Sequence, residues 1–219
     1  LKRRLAHEPL QYIIGESEFF SLSFLVGPGV LIPRPETELL VEKAIEFARP
    51  ADGCRILDLG TGSGCIAISL AVHLPQAHIV AIDKSAKALE LAQTNARRNG
   101  AADRIEFLSW DFTSPTSPFT AAFDIVVANP PYIRQSDYER LPKEIKNFEP
   151  PEALLAGKDG LDGYRAIQRR LAGWLNPGGR AFLEIGADQG EEIVAFFPKA
   201  TIVKDLAGRD RLVVIQPFS

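Results

Sequence analysis

RILDLGTGSGCIAISLAVHL, residues 55–74, decides the fold. RILDL is a short apolar run of strand type, CIAISLAVHL a helix, and DLGTGSG between them a turn with glycine at positions 60, 62 and 64. Glycine there removes the Cβ atoms that would hold a ligand off the backbone, and the helix behind presents oriented N–H groups. Gly60, Thr61, Gly62, Ser63 and Gly64 are therefore candidate ligand contacts.

Outward from this loop, strand and helix alternate. HIVAID (78–83) precedes SAKALELAQTNARRNG (85–100), with Ser85 as N-cap and Gly100 as C-terminal stop; RIEFLS (104–109), FDIVVA (123–128) and RAFLEIG (180–186) are further strands, and DGYRAIQRRLAGWL (162–175) a helix. Near-continuous apolar strands between amphipathic helices mark a parallel sheet covered on both faces. TIVKD (201–205) and RLVVIQ (211–216), joined by LAGRD with no helix between, read as an antiparallel edge pair. Before the sheet, Glu18 to Val26 alternates with Phe20, Leu22, Phe24 and Val26 on one side, the pattern of a half-buried strand and part of a short β-hairpin. Pro35 with Glu36 and Glu38 opens a helix over 35–48 whose stripe is Leu39, Leu40, Ala44 and Phe47. The expected class is α/β, doubly wound and mostly parallel. Residues 113–122 read as loop, and the proline- and glycine-rich stretch 133–160 is long enough to be functional.

Composition narrows the chemistry. The 219 residues are 46% hydrophobic and 24% charged, enough for one full core, and no apolar run reaches bilayer-spanning length. With no secretory signal at the start, a cytoplasmic location is the default. The absence of Met, position 1 included, leads to the expectation that the sequence is not a complete translation product, either because a segment upstream of Leu1 is missing or because methionines are missing from the sequence itself. Cys54 and Cys65 lack metal or redox spacing and read as reduced and structural, and three scattered histidines assemble no zinc site or triad. No metal is expected. A net charge of -3 with dispersed basic clusters argues against extended duplex binding.

Asp83 ends the second parallel strand about twenty residues beyond the glycine loop, where a carboxylate accepts both hydrogens of a ribose diol. The dinucleotide fingerprint would need glycine where Cys65 stands, and no P-loop Lys-Ser/Thr follows. An adenosine with a small uncharged or zwitterionic attachment fits better, and S-adenosylmethionine is such a molecule. Asp111 is a candidate for the adenine edge, with Phe112 against the ring.

VVANPPYIRQ (126–135) carries the second candidate site. The fourth strand ends at the same sheet edge in Asn129, Pro130, Pro131 and Tyr132. Each proline restricts the residue before it to extended conformations. The Asn129 side-chain oxygen and the Pro130 carbonyl are thereby held as two acceptors for a planar NH2 group, with Tyr132 against its plane. Such a grip positions a poor nitrogen nucleophile before an electrophilic methyl, with no histidine or strong base.

These motifs resemble the bacterial protein-(glutamine-N5) methyltransferases of class I peptide-chain release factors. DLGTGSGCIAISLA with AID resembles their S-adenosylmethionine site and NPPYI their catalytic motif; LIPRPETELLVE (31–42) and FEPPEALLAGKDGLDGYRAI (148–167) are more selective, because NPPY is shared with N6-adenine methyltransferases. The resemblance implies a Rossmann-like seven-stranded sheet, cofactor contacts at Gly60 to Gly64 and Asp83, and a Gly-Gly-Gln glutamine held by Asn129, Pro130, Pro131 and Tyr132. Family members begin with a small helical domain. Residues 1–17 would then be its remnant or a linker, and 18–219 the methyltransferase domain. Arg34 and Glu36 to Glu38 serve either as caps or as a border of the active site. The rival readings are an N6-adenine nucleic-acid methyltransferase and a non-catalytic cofactor-binding module.

Overall fold

The computed structural model describes residues 1–48, 53–120 and 123–216. In chain order the elements are α1 (Lys2–Leu5), α2 (Leu10–Ile14), β1 (Glu16–Phe19), β2 (Leu22–Leu25), α3 (Glu38–Phe47), β3 (Arg55–Leu59), α4 (Cys65–His73), β4 (His78–Asp83), α5 (Ala86–Arg98), β5 (Ile105–Ser109), β6 (Phe123–Ala128), α6 (Gln135–Tyr138), α7 (Lys143–Lys146), α8 (Asp162–Gln168), α9 (Leu171–Trp174), β7 (Leu175–Glu184), α10 (Gly190–Phe196), β8 (Ala200–Lys204) and β9 (Asp210–Ile215).

β1 and β2 form a separate hairpin, and the other seven strands form one sheet in the order β5-β4-β3-β6-β7-β9-β8. β3 to β7 run parallel, while β9 pairs antiparallel with both β7 and β8. The expected Rossmann-like class holds, edge pair included. Alternate residues serve opposite faces: Ile56, Ile79, Ile125 and Val127 pack under α3 and α4, while Leu57, Leu59, Val80, Val126 and Leu183 pack under α8, α9 and α10. Strand order reverses between β3 and β6, which opens a crevice at their carboxyl ends.

Four local expectations are corrected. The run 18–26 is not one strand: it turns at Phe20 and Ser21, both at positive φ (50° and 59°), so Phe19 and Phe24 become the buried pair. No Asn-Gly announces this tight turn. Tertiary contacts offset its backbone strain: the Phe20 N–H donates to Glu38 Oε1 at 2.8 Å, and the Phe20 ring stands edge-on to His73. The helix expected from Pro35 begins as a 3₁₀ turn over Pro35–Thr37; of its expected stripe Leu40 and Ala44 are fully buried and Leu39 and Phe47 pack partly buried against the same core, with Val41 a buried addition. The helix over 162–175 is broken at Arg169 and Arg170 into α8 and α9, and β7 already starts at Leu175, with a register shift between Phe123 and Ile125. A Cβ on Gly179 would stand 2.8 Å from the Asp124 carbonyl, so only glycine lets the strand resume there. Finally, 133–160 is not structureless: it holds α6 and α7, and Ile133 bridges Leu155 in parallel. Of the loop expected over 113–122, Ala121 and Ala122 lie outside the described residues.

Candidate active site

The loop after β3 turns back over the sheet edge through three left-handed glycines, Gly60 (φ 70°), Gly62 (φ 57°) and Gly64 (φ 83°). Their roles differ. A Cβ on Gly64 would lie 2.8 Å from Ile68 Cδ1 and 3.1 Å from Ala92 Cβ, so this glycine lets α4 and α5 pack. Cβ atoms on Gly60 or Gly62 would meet nothing closer than 3.8 Å, an ordinary contact with Phe112, and both glycines border open space. That space is a cavity of about 610 Å³, within the usual range for small-molecule sites.

Asp83 borders the cavity with both oxygens engaged by backbone: Oδ2 accepts from Gly62 N and Oδ1 from Ser85 N, each at 2.9 Å. Each oxygen keeps a lone pair. Ser85 caps α5 as expected, accepting from Ala88 N at 3.2 Å. Asp111 and Phe112 line the same cavity; Asp111 Oδ1 takes both the N–H (2.8 Å) and the hydroxyl (2.7 Å) of Thr113, which leaves Oδ2 for a ligand.

Asn129, Pro130 and Pro131 form the opposite wall. Tyr132 does not line this cavity. It lines a smaller one of about 90 Å³ with Ile133, Ile145 and Leu154, which adjoins the first through Leu31, Arg34, Asn129 and Ala153. Burial pushes the Tyr132 phenol up to about 12, so its ring is neutral. The Tyr132 carbonyl accepts from Gln189 Nε2 at 3.1 Å, and α8 reaches Pro130 because residue 163 is glycine: a Cβ there would come 3.1 Å from Pro130 Cβ.

Sequence reasoning missed three buried groups. Asn129 Nδ2 donates to Thr37 Oγ1 at 3.1 Å, and Thr37 Oγ1 donates to Glu184 Oε2 at 2.6 Å. Glu184, at the end of β7, is 1% exposed, and desolvation raises its carboxyl to about 7 against a hydrogen bond from Thr37 that lowers it. Asp58, at the foot of the glycine loop, is likewise raised to about 7 by burial; Thr61 Oγ1 donates to its Oδ2 at 2.6 Å, and its Oδ1 has no partner among the described residues. Polar residues inside an apolar strand, in LDLG and LEIG, were the available signal. Of the two roles open for Arg34 and Glu36 to Glu38, Arg34 borders the cavity and pairs with buried Glu149; no side chain caps the helix start, and Glu38 holds the hairpin turn. Among the described residues no His, Cys, Asp and Glu cluster could hold a metal.

Comparison with known proteins gives the relatives. A model described as Methyltransferase small domain matches residues 35–145. A release factor glutamine methyltransferase of Moorella thermoacetica is 46% identical over 96% of this chain and 76% of that protein, and one of Thermodesulfovibrio yellowstonii is 44% identical over 99% and 79%.

The chain belongs to the release factor glutamine methyltransferases.

Solved structures of more distant proteins carry the same fold. TrmN from Thermus thermophilus superposes with a TM-score of 0.59 at 25% identity over 83% of this chain and 48% of that one. The hMettl16 catalytic domain, solved with an RNA hairpin, gives 0.70 at 16% identity over 91% and 77%, a likeness of fold alone. Within the release factor glutamine methyltransferases, S-adenosylmethionine is the cofactor. The site suits it: two open glycines, a carboxylate with a free lone pair on each oxygen, and a cavity of adequate volume lie on one side of Asn129. No helix of the described residues is long and apolar enough to cross a membrane.

Proposed function

We propose that this chain transfers a methyl group from S-adenosylmethionine to the side-chain amide nitrogen of the glutamine in the Gly-Gly-Gln motif of class I peptide-chain release factors. The observation that carries this reading is the orientation of Asn129, whose NH2 is spent on Thr37, which leaves Oδ1 as the end available to a substrate.

In this reading Gly60, Thr61, Gly62, Ser63 and Gly64 form the floor under the cofactor, Asp83 takes the ribose hydroxyls, and Asp111 and Phe112 take the adenine. S-adenosylmethionine supplies an electrophilic methyl on a positively charged sulfur. Asn129 Oδ1 and the Pro130 carbonyl accept the two N–H bonds of the glutamine amide; with both hydrogens held, the nitrogen lone pair is directed at the methyl and loses overlap with the carbonyl. Pro131 fixes the Pro130 carbonyl by restricting Pro130 to extended backbone. Tyr132, neutral and beside Asn129, packs against the amide plane from the smaller cavity. Positioning of this kind contributes roughly 7–11 kcal/mol to lowering a barrier. The methyl replaces one amide hydrogen: its bond to sulfur breaks and leaves a neutral thioether, and the N-methylated amide, strongly acidic while it still carries both hydrogens, releases one proton to water, so no step needs a charged base.

The activity of the relatives and the charge of -3 favour a protein substrate over adenine in nucleic acid. Release factors act in translation, so the place of action is cytoplasmic, with residues 18–219 as the catalytic domain and 1–17 as its linker. The test supplies methyl-labelled cofactor with a release factor, with the same factor lacking its Gly-Gly-Gln glutamine, and with DNA or RNA. Label on the intact factor alone is expected; label on nucleic acid instead contradicts the assignment, and label nowhere favours a binding module.

A further inference from the structure

Thr37 closes the 3₁₀ turn that runs straight into α3, with helical φ and ψ of -69° and -18°, and its hydroxyl makes no hydrogen bond to its own helix start. The hydroxyl is turned into the protein, 2% exposed, between Glu184 and Asn129, two partners 147 and 92 residues away in sequence.

We propose that Thr37 and Glu184 form a polarity lock that fixes which end of the Asn129 carboxamide faces the substrate. With Asn129 as the amide-gripping residue of the proposed function, the number of hydrogens available imposes this orientation. A threonine hydroxyl has one hydrogen. Ionised Glu184 has none to give, so it takes the Thr37 hydrogen at 2.6 Å, and Thr37 Oγ1 is left to Asn129 as an acceptor. Asn129 must then present Nδ2 to Thr37, as it does at 3.1 Å, and Oδ1 becomes the outward end. The reversed amide would set oxygen against oxygen inside and NH2 against the substrate NH2 outside. Thr37 and Glu184 are positioning residues; neither needs to touch the glutamine.

The lock has a built-in pH dependence. Arg211 on β9 and Arg34 ahead of α3 favour the Glu184 carboxylate; Glu36 opposes it; the uncharged Tyr132, Tyr164 and Cys65 also face it, Tyr164 donating to the Glu184 backbone carbonyl at 2.8 Å. Protonated Glu184 can itself donate to Thr37, which frees the threonine hydrogen for Asn129 Oδ1. The outward acceptor is lost below the Glu184 titration and restored above it.

The test combines turnover with a signal that does not depend on turnover. Thr37→Val is expected to lower kcat about a hundredfold, the scale of a misplaced catalytic group, with affinity for S-adenosylmethionine unchanged. Thr37→Ser, which keeps the hydroxyl, restores it, and Glu184→Gln lowers kcat and flattens its pH profile. In the wild-type protein the Asn129 side-chain NH2 resonance moves with pH with a midpoint near the Glu184 value of about 7, and in Glu184→Gln it stays put. A wild-type kcat in Thr37→Val, failure of Thr37→Ser to restore it, or an Asn129 resonance indifferent to pH overturns the lock. Should wild-type protein transfer nothing to a release factor, the substrate reading falls, and the Asn129 titration still decides the lock.

Discussion

Asn95 holds Leu25 by both of its backbone groups: the Leu25 N–H donates to Asn95 Oδ1 at 2.8 Å, and Asn95 Nδ2 donates to the Leu25 carbonyl at 3.1 Å. The same Nδ2 donates to the Ser63 carbonyl at 2.9 Å. One buried amide on α5 thus ties the hairpin to the glycine loop. Asn95→Leu removes all three bonds while keeping the volume, and strands the Leu25 groups at about 1–3 kcal/mol each. Urea unfolding should show a loss of about 3 kcal/mol; a loss under about 1 kcal/mol would mean that water replaces the amide at no cost.

The glycines at 62 and 64 separate by assay. Gly64→Ala forces a Cβ into Ile68 and Ala92 at a positive φ, so thermal unfolding should reveal a loss of about 2–3 kcal/mol. Gly62→Ala meets no atom nearer than 4.0 Å and should lose only about 1 kcal/mol, the left-handed cost. Calorimetry should instead find its S-adenosylmethionine affinity weakened, because the methyl projects into the cavity. Equal stability losses would contradict the division between packing and ligand glycines.

Gly163 sets how closely α8 approaches Pro130. In Gly163→Ala the new Cβ, 3.1 Å from Pro130 Cβ, displaces the Asn129-Pro130 acceptors by a few tenths of an ångström. Steady-state kinetics should show kcat down roughly tenfold with cofactor affinity held. An unchanged kcat would show that the proline pair tolerates the shift.

Asp58 and Glu184 make a stability prediction whose sign is fixed by their direction. Burial lifts them from 3.8 and 4.5 to about 7, so between those limits the native state keeps protons that the unfolded chain has released. Stability from these groups is full below about pH 4 and falls as pH rises to about 7, on the order of 1 kcal/mol per pH unit per group. The Asp58→Asn, Glu184→Gln variant lacks this slope. Half-buried Glu8, Asp159 and Asp205, held low by hydrogen bonds from Arg3, Arg165 and the Arg209 backbone, are common to both proteins and cancel in the difference. Parallel stability curves across that window would refute the burial argument.

The sheet, its edge pair and the meeting of the glycine loop with NPPY were legible because period and turn chemistry are local signals: RILDL and FDIVVA announce buried strands wherever they fold. The turn at Phe20 and Ser21 was not, since its strain is offset by Glu38 and His73, eighteen and fifty-three residues away. Thr37 and Glu184 were hidden for the same reason. A threonine after proline and glutamate reads as a helix cap, and its true partners, Glu184 and Asn129, come from strands that only the folded sheet brings beside it. Tyr132 was read together with its neighbours, yet it lines the smaller adjoining cavity and not the large one that Asn129, Pro130 and Pro131 border.

Tandem mass spectrometry of a release factor incubated with S-adenosylmethionine and either wild-type protein or Asn129→Ala, alongside calorimetric cofactor binding, tests the central claim most directly. The account predicts one methyl on the Gly-Gly-Gln glutamine with the wild type, none with Asn129→Ala, and equal cofactor affinity for the two. A methyl on any other residue, or Asn129→Ala methylating that glutamine at the wild-type rate, would contradict it.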